Sequence, residues 1–369
     1  MEIAVCGHVC LDIIPRWEKG SIEAIVPGNL IEMEGVKFAT GGAVANTGQA
    51  LEYLGIDTFL GGKIGDDVIG EIILDILEKE SMIISSGETS SYTVVLNPPD
   101  TDRIFLHYPG PNHTYKAEDV PYQKIKEAKL FHFGYPPLMD KMYQNRGQEL
   151  VDMFARCREL GLITSLDMAM PGPDSAASKV DWAEILRQVL PFVDIFLPSF
   201  EEINYLLDRK DCTLTRENLR EISDTLLAMG AQIVVLKLGE EGLFLRTGSV
   251  ESASFAETSL NPASWSEKTF LCPCFEVSVA GTTGAGDSAI AGFLAEVIAG
   301  SNPREALLTA AGTGAHSVEQ IDAVGGIRPL EEVKKRIRNG WPQKTINFVD
   351  QEAKELELDT ETGIYSLDK

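Results

Sequence analysis

Four short apolar runs decide the fold of this chain: LFHF at 130–133, LITSLD at 162–167, DIFL at 194–197 and IVVL at 233–236. Stretches with the spacing of amphipathic helices lie between and beside these runs. They are found near 141–160, 181–190, 200–207 and 216–229. Strands that alternate with helices of this length require βαβ crossovers, which place the strands in a mostly parallel sheet with helices on both faces. The sequence therefore predicts an α/β fold.

The amino-terminal third predicts the same alternation, with two interruptions. The predicted elements are a strand at 3–6, a helix at 44–54, a strand beginning at 58–60 and a helix at 69–77. Residues 12–40 and 90–110 instead mix polar and β-prone residues with prolines. In the second stretch, two β-prone runs flank Asn97-Pro98-Pro99-Asp100, which predicts a β-hairpin.

Beyond residue 236 the sequence predicts further regular elements and two less regular segments. The regular elements are a strand at 275–279 and helices at 285–299, 303–317 and 330–338. The segment 248–275 is polar and serine-rich, which predicts a surface hairpin or insertion. Residues 350–369 are rich in charge and poor in large apolar side chains, so we expect an appendage or a frayed tail there.

Composition argues against several classes of protein. The 369 residues carry 56 Asp and Glu against 32 Lys and Arg, a net charge of −24, and such an acidic surface repels nucleic acid. No apolar run approaches the roughly 18 residues that cross a bilayer, and no basic segment precedes an apolar one at the N-terminus. Six cysteines are too few for a disulfide scaffold in a chain this long. We therefore expect a cytoplasmic protein that binds neither nucleic acid nor membranes.

The stretch most informative about chemistry is GTTGAGDS at 281–288, which opens a predicted helix. Glycines let the backbone turn its N–H groups inward, and a helix N-terminus adds partial positive charge, so the stretch predicts an anion hole. Asp287 at the edge of this hole would repel a phosphate unless it had another task. Accepting the proton of an attacking hydroxyl is such a task. The alternative is that Asp287 caps the helix.

Two other nucleotide-binding patterns fit less well. Gly284-x-Gly286-x-x-Ala289 matches the dinucleotide fingerprint of dehydrogenases, but that fingerprint requires a second strand and an acidic residue about 20 residues later. Here Pro303 opens another helix, and no strand is predicted between the two helices. The sequence also has no G-x-x-x-x-G-K-[ST] loop. An NAD-dependent dehydrogenase and a Walker-type NTPase are therefore disfavoured.

A second glycine-rich stretch, TGGAVANTG at 40–48, predicts a site for a small polar ligand such as a sugar. Gly41 and Gly42 allow close approach to the backbone, and Asn46 offers a donor and an acceptor one turn later. The alternative is a turn with an exposed Asn46. For Asp12, the two alternatives are that its carboxylate binds two hydroxyls or that it closes an Asx-turn. Asp167, at the end of a predicted strand, either contacts substrate or hydrated magnesium or caps its loop.

Taken together, four motifs resemble those of the PfkB, or ribokinase-like, family of carbohydrate kinases. They are Gly41-Gly42-x-x-x-Asn46, Gly62-Lys63-Ile64-Gly65-Asp66-Asp67-x-x-Gly70, Lys237-Leu238-Gly239-Glu240-Glu241-Gly242 and Gly284-Ala285-Gly286-Asp287. Their order and spacing match over roughly residues 1–340. The resemblance implies a ribokinase-like fold: a central, mostly parallel β-sheet flanked by helices, with a small β-sheet lid. It also implies transfer of the γ-phosphoryl group of ATP to a hydroxyl of a sugar or sugar-like small molecule.

The resemblance also divides the chain and implies roles for the matching residues. It implies a kinase domain at 1–345, with a lid formed by about 12–40 and 90–110, and a charged C-terminal extension at 346–369. Asp287 is expected to be the catalytic base, with the backbone of Gly284, Ala285 and Gly286 as the anion hole. The expected substrate contacts are Asp12, Gly41, Gly42, Asn46 and Asn112. The expected nucleotide contacts are Lys237, Gly239, Gly242, Thr282, Gly312 and Ala315.

The sequence departs from the family at two ion-binding positions. The family's N-x-x-E element appears here as Ser199-Phe200-Glu201-Glu202. Glu202 is kept, so we expect Mg²⁺ with altered affinity, because Ser199 can bond a hydrated ion through its hydroxyl. Gly281 stands where many members have an acidic residue associated with a monovalent-cation site, which argues against activation by potassium. The lid strands also expose a β edge, which favours a homodimer that pairs lids.

The sequence leaves the acceptor open. A nucleoside kinase of the same fold is the nearest alternative, because aromatic residues in the predicted lid segments can form a slot for a base. These are Phe38, Tyr92, Phe105 and Tyr108. A catalytically silent, ligand-binding member of the family is a further alternative.

Overall fold

The computed structural model describes residues 1–77, 81–99, 101, 103–251, 255–256, 258–346, 348 and 357–367. Within this part of the chain, ten strands form one central sheet. In spatial order they are Glu357–Asp359 (β15), Ile364–Ser366 (β16), Thr269–Cys272 (β14), Leu243–Thr247 (β13), Ile233–Lys237 (β12), Ile195–Phe196 (β11), Ile163–Leu166 (β10), Leu130–Gly134 (β9), Ile3–Gly7 (β1) and Thr58–Gly61 (β4). Neighbouring strands from β12 to β4 pair in parallel, and those from β12 to β15 pair antiparallel.

The four apolar runs that predict the fold form β9, β10, β11 and β12, which are neighbours in the sheet. Their side chains are buried on both faces, as expected for a parallel sheet between two helical layers. In β12, Ile233 and Val235 enter one hydrophobic core, whereas Val234 and Leu236 enter the other. The prediction of an α/β fold with a mostly parallel sheet is confirmed.

A separate four-stranded sheet stands apart from the central one. Its strands, in spatial order, are Gly35–Gly41 (β3), Cys10–Arg16 (β2), Tyr92–Leu96 (β7) and Ile104–Tyr108 (β8). The last two strands pair antiparallel and form the hairpin that the sequence predicts. We call these four strands the lid. A third, two-stranded sheet consists of Lys63–Gly65 (β5) and Ile83–Ser85 (β6).

Helices cover both faces of the central sheet. The described residues form α-helices at Ala43–Leu54 (α1), Val68–Leu77 (α2), Tyr122–Ile125 (α3), Asp140–Tyr143 (α4), Gln148–Glu159 (α5), Trp182–Val189 (α6), Phe200–Leu206 (α7), Arg216–Ala228 (α8), Pro262–Trp265 (α9), Ala285–Ala299 (α10), Pro303–Val318 (α11) and Leu330–Arg338 (α12). One core receives side chains of α1, α10 and α11, and the other those of α5, α6 and α8. Across the described ranges, no helix combines the length and the hydropathy of a membrane span.

Two predicted elements differ from the structure because local residues interrupt them. The strand predicted at 275–279 is not formed, and only an isolated bridge joins Phe275 to Gln343. The strand lies earlier instead, as β14, and ends before Pro273, which has no N–H to continue a ladder. The helix predicted at 141–160 is split into α4 and α5, because Asn145 and Arg146 adopt left-handed conformations with φ of 50° and 59°.

Two segments predicted to lie at the surface instead belong to the body. Within 248–275, Trp265 and Phe270 are buried in the core. Residues 357–367 of the predicted C-terminal extension supply β15 and β16, and Ile364 and Leu367 are buried there. The expectation of a surface insertion and of a frayed tail is therefore wrong for these described residues, because a few large apolar side chains anchor each polar segment. The central sheet continues past residue 345.

Phe293 ties α10, the helix that begins at the predicted anion hole, into the core. Its side chain is fully buried and meets Trp265 edge to face at 5.8 Å between ring centroids. We predict that Phe293→Ala lowers the free energy of unfolding by about 3–5 kcal/mol, because it removes buried contacts and leaves a cavity. Urea unfolding measures this. Tyr53→Ala on the exposed side of α1 is the control, expected to change stability by no more than about 0.5 kcal/mol.

Candidate active site

A cavity of about 450 Å³ opens at the carboxyl end of β12, beside the N-terminus of α10. This is the edge of the sheet where α/β proteins bind ligands. The predicted nucleotide residues Lys237, Gly239, Gly242, Thr282 and Ala315 all line it. Asp167, Glu202, Gly286, Asp287 and Tyr135 line it as well. The cavity therefore joins two of the four motifs named above, those at 237–242 and 284–287.

The anion loop, by which we mean residues 281–287, contributes Thr282, Ala285, Gly286 and Asp287 to one wall of this cavity. Gly284 precedes α10 in a left-handed conformation with φ of 73°, which a glycine adopts without strain. The first N–H groups of a helix have no partner within the helix. The amide of Ser288 donates to the carbonyl of Gly284 at 2.8 Å, whereas Gly286 and Asp287 precede it in the first turn. Of the predicted anion-hole residues, Gly284 does not line the cavity, and the amide of Ala285 donates to the carbonyl of Thr282 at 3.4 Å. The amides of Gly286 and Asp287 are therefore the groups that can meet an anion there.

The carboxylate of Asp287 is held at the same wall by three donors. Nδ2 of Asn46 donates to Oδ2 at 3.0 Å, and Oγ1 of Thr47 donates to Oδ1 at 3.3 Å. The hydroxyl of Tyr135 lies 2.8 and 2.7 Å from the two oxygens. The N-cap position of α10 is Gly284, and no side chain caps it. The geometry thus favours a side chain fixed beside the cavity over a helix cap.

Tyr135 was not among the residues predicted from the sequence. It follows β9 directly and adopts a φ of 70° and ψ of 40°, an unusual conformation for a bulky residue that often marks a functional site. Burial raises the pKa of Tyr135 well above its ordinary value, and the neighbouring charge of Asp287 raises it further. The phenol therefore stays protonated and donates to Asp287. A tyrosine before two prolines at the end of a predicted strand is the signal that sequence reasoning passed over.

Lys237 and Asp167 form a buried ion pair across the ends of β12 and β10. Nζ of Lys237 donates to Oδ1 of Asp167 at 2.6 Å, and the carboxylate side chain is 1% exposed. Of the two alternatives for Asp167, contact with a ligand or capping of its loop, this pairing at the cavity wall favours the first. Asp167 also contributes to the acidic character of the wall, together with Glu202 and Asp287.

Glu202 and Ser199, the expected magnesium element, form a capping box at the start of α7. Oγ of Ser199 accepts from the amide of Glu202 at 3.1 Å, and Oε2 of Glu202 accepts from the amide of Ser199 at 2.7 Å. Both residues line the cavity. The hydroxyl oxygen of Ser199 is therefore occupied by the helix cap.

The predicted substrate residues Asp12, Gly41 and Gly42 lie together where the lid meets α1. A Cβ at Gly41 would lie 2.6 Å from Oδ2 of Asp12, and one at Gly42 would lie 2.5 Å from Nδ1 of His8. Only glycine permits these approaches. Burial raises the pKa of Asp12 to about 6. Asn46, predicted to contact substrate, instead donates to Asp287.

A pair of histidines, His8 and His107, connects the central sheet with the lid. The sequence analysis singled out neither of them. Nε2 of His8, which follows β1, lies 3.4 Å from Nε2 of His107 on β8. Nδ1 of His107 lies 2.9 Å from Oγ1 of Thr93. Burial lowers the pKa of His107 to about 4 and holds the pKa of His8 well below its ordinary value, so both rings are neutral at neutral pH. They can offer acceptors as well as donors.

The structure places two predicted site residues elsewhere. Asn112 is fully buried, and its amide bonds the backbone N–H and C=O of Val9 and the C=O of Pro109. This arrangement gives it a structural role in place of the expected substrate contact. Gly312 faces α12, where a Cβ would lie 3.0 Å from Ile337, and so lies away from the cavity wall. Its neighbours Ala311, Gly314 and Ala315 line the cavity instead.

Two polar contacts connect the lid with the far side of the cavity. Nζ of Lys37 on β3 pairs with Asp322 at 3.0 Å. Nη2 of Arg103, just before β8, donates to Oγ1 of Thr282 in the anion loop at 3.2 Å. The lid therefore contacts the body at the anion loop and at the neighbouring segment that holds Asp322.

The chain is similar to known proteins over most of its length. The model of the family described as pfkB family carbohydrate kinase matches residues 1–328. An uncharacterized sugar kinase of Archaeoglobus fulgidus is 26% identical over 69% of this chain and 88% of its own length. A nucleoside kinase of Methanothermobacter thermautotrophicus is 24% identical over 92% and 96%. The structure of Arabidopsis thaliana ribokinase complexed with ribose and ATP superposes with a TM-score of 0.71 and 19% identity, over 90% of this chain and 97% of that one.

Asp12 generates a prediction about pH and stability. Because burial raises its pKa from 3.8 to about 6, the folded protein binds this proton more tightly than the unfolded chain. The resulting stabilisation is fully present below about pH 3.8 and is lost as the pH rises through about 6. Asp12→Asn should therefore raise the free energy of unfolding above pH 7 by about 1–3 kcal/mol, with the difference shrinking toward pH 4.

Urea unfolding of wild type and variant between pH 4 and 8 measures this difference. Glu118→Gln is the control, since the Glu118 side chain is 76% exposed and should give no comparable trend. An Asp12→Asn protein less stable than wild type at pH 7.5 would contradict burial as the dominant effect on this carboxyl.

Proposed function

The chain belongs to the pfkB family of carbohydrate kinases, and on that basis we propose that it transfers the γ-phosphoryl group of ATP to a hydroxyl of a sugar or sugar-like small molecule. One observation carries the proposal: the carboxylate of Asp287, only 5% exposed, lies at the cavity wall in the first turn of α10, beside the backbone of Gly286. Such a pairing of an anion hole with a carboxylate suits phosphoryl transfer to an alcohol.

In the proposed reaction, the chain's residues mainly position the reactants. The amides of the anion loop hold the γ-phosphoryl group as charge develops on it. Asp287 orients the acceptor hydroxyl and accepts its proton, and Asn46, Thr47 and Tyr135 keep the carboxylate in place. The lid covers the acceptor and excludes water, which would otherwise compete for the phosphoryl group. Asp12, Gly41 and Gly42 are the proposed acceptor contacts.

The residues at the cavity suit a magnesium ion that arrives with the nucleotide. Among the described residues, no group of three or more His, Cys, Asp or Glu is placed to hold a metal on its own. Magnesium in phosphoryl-transfer sites needs only one or two carboxylates besides substrate phosphates and water. Glu202 would supply such a carboxylate. The ion would neutralise charge on the β- and γ-phosphates. We propose no dependence on potassium, because Gly281 offers no carboxylate.

A nucleoside acceptor is the second candidate. Phe105 and Tyr108 on β8 are exposed by 56% and 42%, so aromatic side chains of the lid are accessible to a base. The likeness to a nucleoside kinase also supports this alternative. Turnover with nucleosides but not with pentoses, hexoses or keto-deoxy acids would favour it. ATP binding without turnover of any acceptor would favour a catalytically silent member.

We further propose a homodimer that pairs lids, in the cytoplasm. The edge strands β3 and β8 expose Val36, Phe38 and Leu106 by 45–55%, and exposed apolar edges invite pairing. The six cysteines, all within the described ranges, are free thiols, as is usual in a reducing compartment.

Sedimentation velocity should give the mass of a dimer for the wild type and of a monomer for Phe38→Glu, because the introduced charge disrupts an apolar lid edge. A wild-type monomer at micromolar concentration would argue against pairing.

Asp287→Asn tests the proposed reaction. We predict a loss of turnover of about 10²–10⁴-fold, because the amide cannot accept the proton of the acceptor hydroxyl, whereas ATP binding should be kept. ADP release is measured over pentoses, hexoses, keto-deoxy acids and nucleosides, and ATP affinity by calorimetry. Asp140→Asn is the matched control, since Asp140 is not among the residues lining the cavity. Full activity of Asp287→Asn would refute the assignment of the base.

A further inference from the structure

Lys237 lies where the last parallel strand meets the first turn of α10. It ends β12, and a Cβ built on Gly286 would lie 3.7 Å from its Nζ. The side chain is 13% exposed and lines the cavity. The ammonium group therefore rests directly against the backbone of the anion loop, next to the amides proposed to hold the γ-phosphoryl group.

The surroundings of Lys237 are acidic. Although burial lowers it, the negative charges of Asp167, Glu202 and Asp287 raise the pKa of Lys237 above its ordinary value. The ammonium is therefore charged at neutral pH. A nucleotide that enters this part of the cavity meets three carboxylates, and Lys237 provides a compensating positive charge at the same wall.

Stability does not explain why a charged pair stands here. A buried ion pair contributes little net stability, because the loss of hydration of both ions offsets their attraction. The chain has a second such pair, Lys63 with Asp119, at 3.1 Å and with a lysine side chain that is also 13% exposed. That pair is not among the residues lining the cavity. The two pairs thus differ in whether the ammonium faces the anion loop.

We propose that Lys237 neutralises the charge that develops on the leaving oxygen of ADP during phosphoryl transfer, and that Asp167 holds the ammonium in place for this task. The inference rests on the kinase function proposed above. As the acceptor oxygen bonds to the γ-phosphorus, the bond from that phosphorus to the oxygen bridging the β- and γ-phosphates breaks. The proton of the acceptor passes to Asp287. The electron pair stays on the bridging oxygen, next to the ammonium.

Two physical reasons favour this role. The transition state of phosphoryl transfer is loose, so much of the charge of the broken bond already lies on the leaving oxygen. A cation held in position beforehand stabilises that charge without the reorganisation that water would need. Asp167 supplies the holding contact, since its 2.6 Å bond to Nζ fixes the ammonium at the loop. Lys237 is thus proposed as a catalytic residue and Asp167 as a positioning residue.

Lys237→Met tests the proposal with ATP and with its α,β-methylene, α,β-fluoromethylene and α,β-difluoromethylene analogues, which release progressively less basic ADP analogues. The acceptor is the one that the wild type phosphorylates fastest. We expect kcat with ATP to fall about 10²–10³-fold, the usual effect of removing a group that stabilises developing charge. We also expect the ratio of the rates with the least basic and the most basic leaving group to be at least tenfold larger in the variant than in the wild type. The reason is that the variant no longer neutralises the leaving oxygen.

Three further variants separate this role from a structural one. Lys63→Met removes the matched buried lysine and should leave kcat and the dependence on leaving-group basicity as in the wild type. Lys237→Arg keeps the charge and should recover at least tenfold of the lost kcat. Asp167→Asn keeps the ammonium but loosens it, so kcat should fall by about tenfold with little change in KM for ATP. Thermal melting of each variant confirms folding.

The outcomes distinguish this inference from the function on which it rests. A wild type without turnover on any acceptor overturns both. An active wild type with a Lys237→Met variant whose kcat and leaving-group dependence match those of Lys63→Met overturns the role of Lys237 alone. Lys237→Met could fail to fold, and the other two variants then decide. A leaving-group dependence unchanged from wild type in both Lys237→Arg and Asp167→Asn overturns the role of Lys237. A steeper dependence in Asp167→Asn supports it.

Discussion

The structure depends on holding one carboxylate, that of Asp287, where a buried helix meets the ends of parallel strands. A charge in such a place is costly unless donors meet it. Asn46 and Thr47 reach it from α1, and Tyr135 reaches it from the end of β9. These bonds fix α10, which carries Asp287, relative to α1, which carries Asn46, and relative to the central sheet. The same requirement accounts for the left-handed backbone of Tyr135, which turns the phenol toward the carboxylate.

Features set by neighbours along the chain could be predicted from the sequence. The alternation of apolar runs predicts the parallel strands, because only a covered sheet buries both faces of such runs. The start of α10 at Ala285 and the position of Asp287 follow from the glycines before the helix. The resemblance assigns Asp12 and Gly41 to one substrate site, and the two residues lie on the paired strands β2 and β3. Local backbone chemistry carries these predictions.

Features set by distant partners could not be predicted in this way. Tyr135 and Asp287 are 152 residues apart, and His8 and His107 are 99 apart, so no local pattern relates them. The resemblance assigns Gly312 to the nucleotide site, whereas its neighbours Ala311, Gly314 and Ala315 line the cavity. Most of α11 consists of small residues buried on every side, so its sequence does not mark the face toward the cavity. The tail strand β16 depends on Ile364 and Leu367, two buried apolar residues in a charged segment.

The contacts that join lid and body have a consequence for timing. Lys37 with Asp322 and Arg103 with Thr282 bridge the rim of the cleft, where the lysine and aspartate side chains are 56% and 37% exposed. Exposed charges exchange partners readily with water and mobile ions, and dissolved salt weakens them. In the proposed reaction, dissolved salt would therefore weaken the contacts that hold the lid against the body, whereas the buried wall of the cavity would be screened much less. If the proposed reaction holds, surface charge at the rim would then set how long the cleft stays closed, and the buried wall would set the rate of the chemical step.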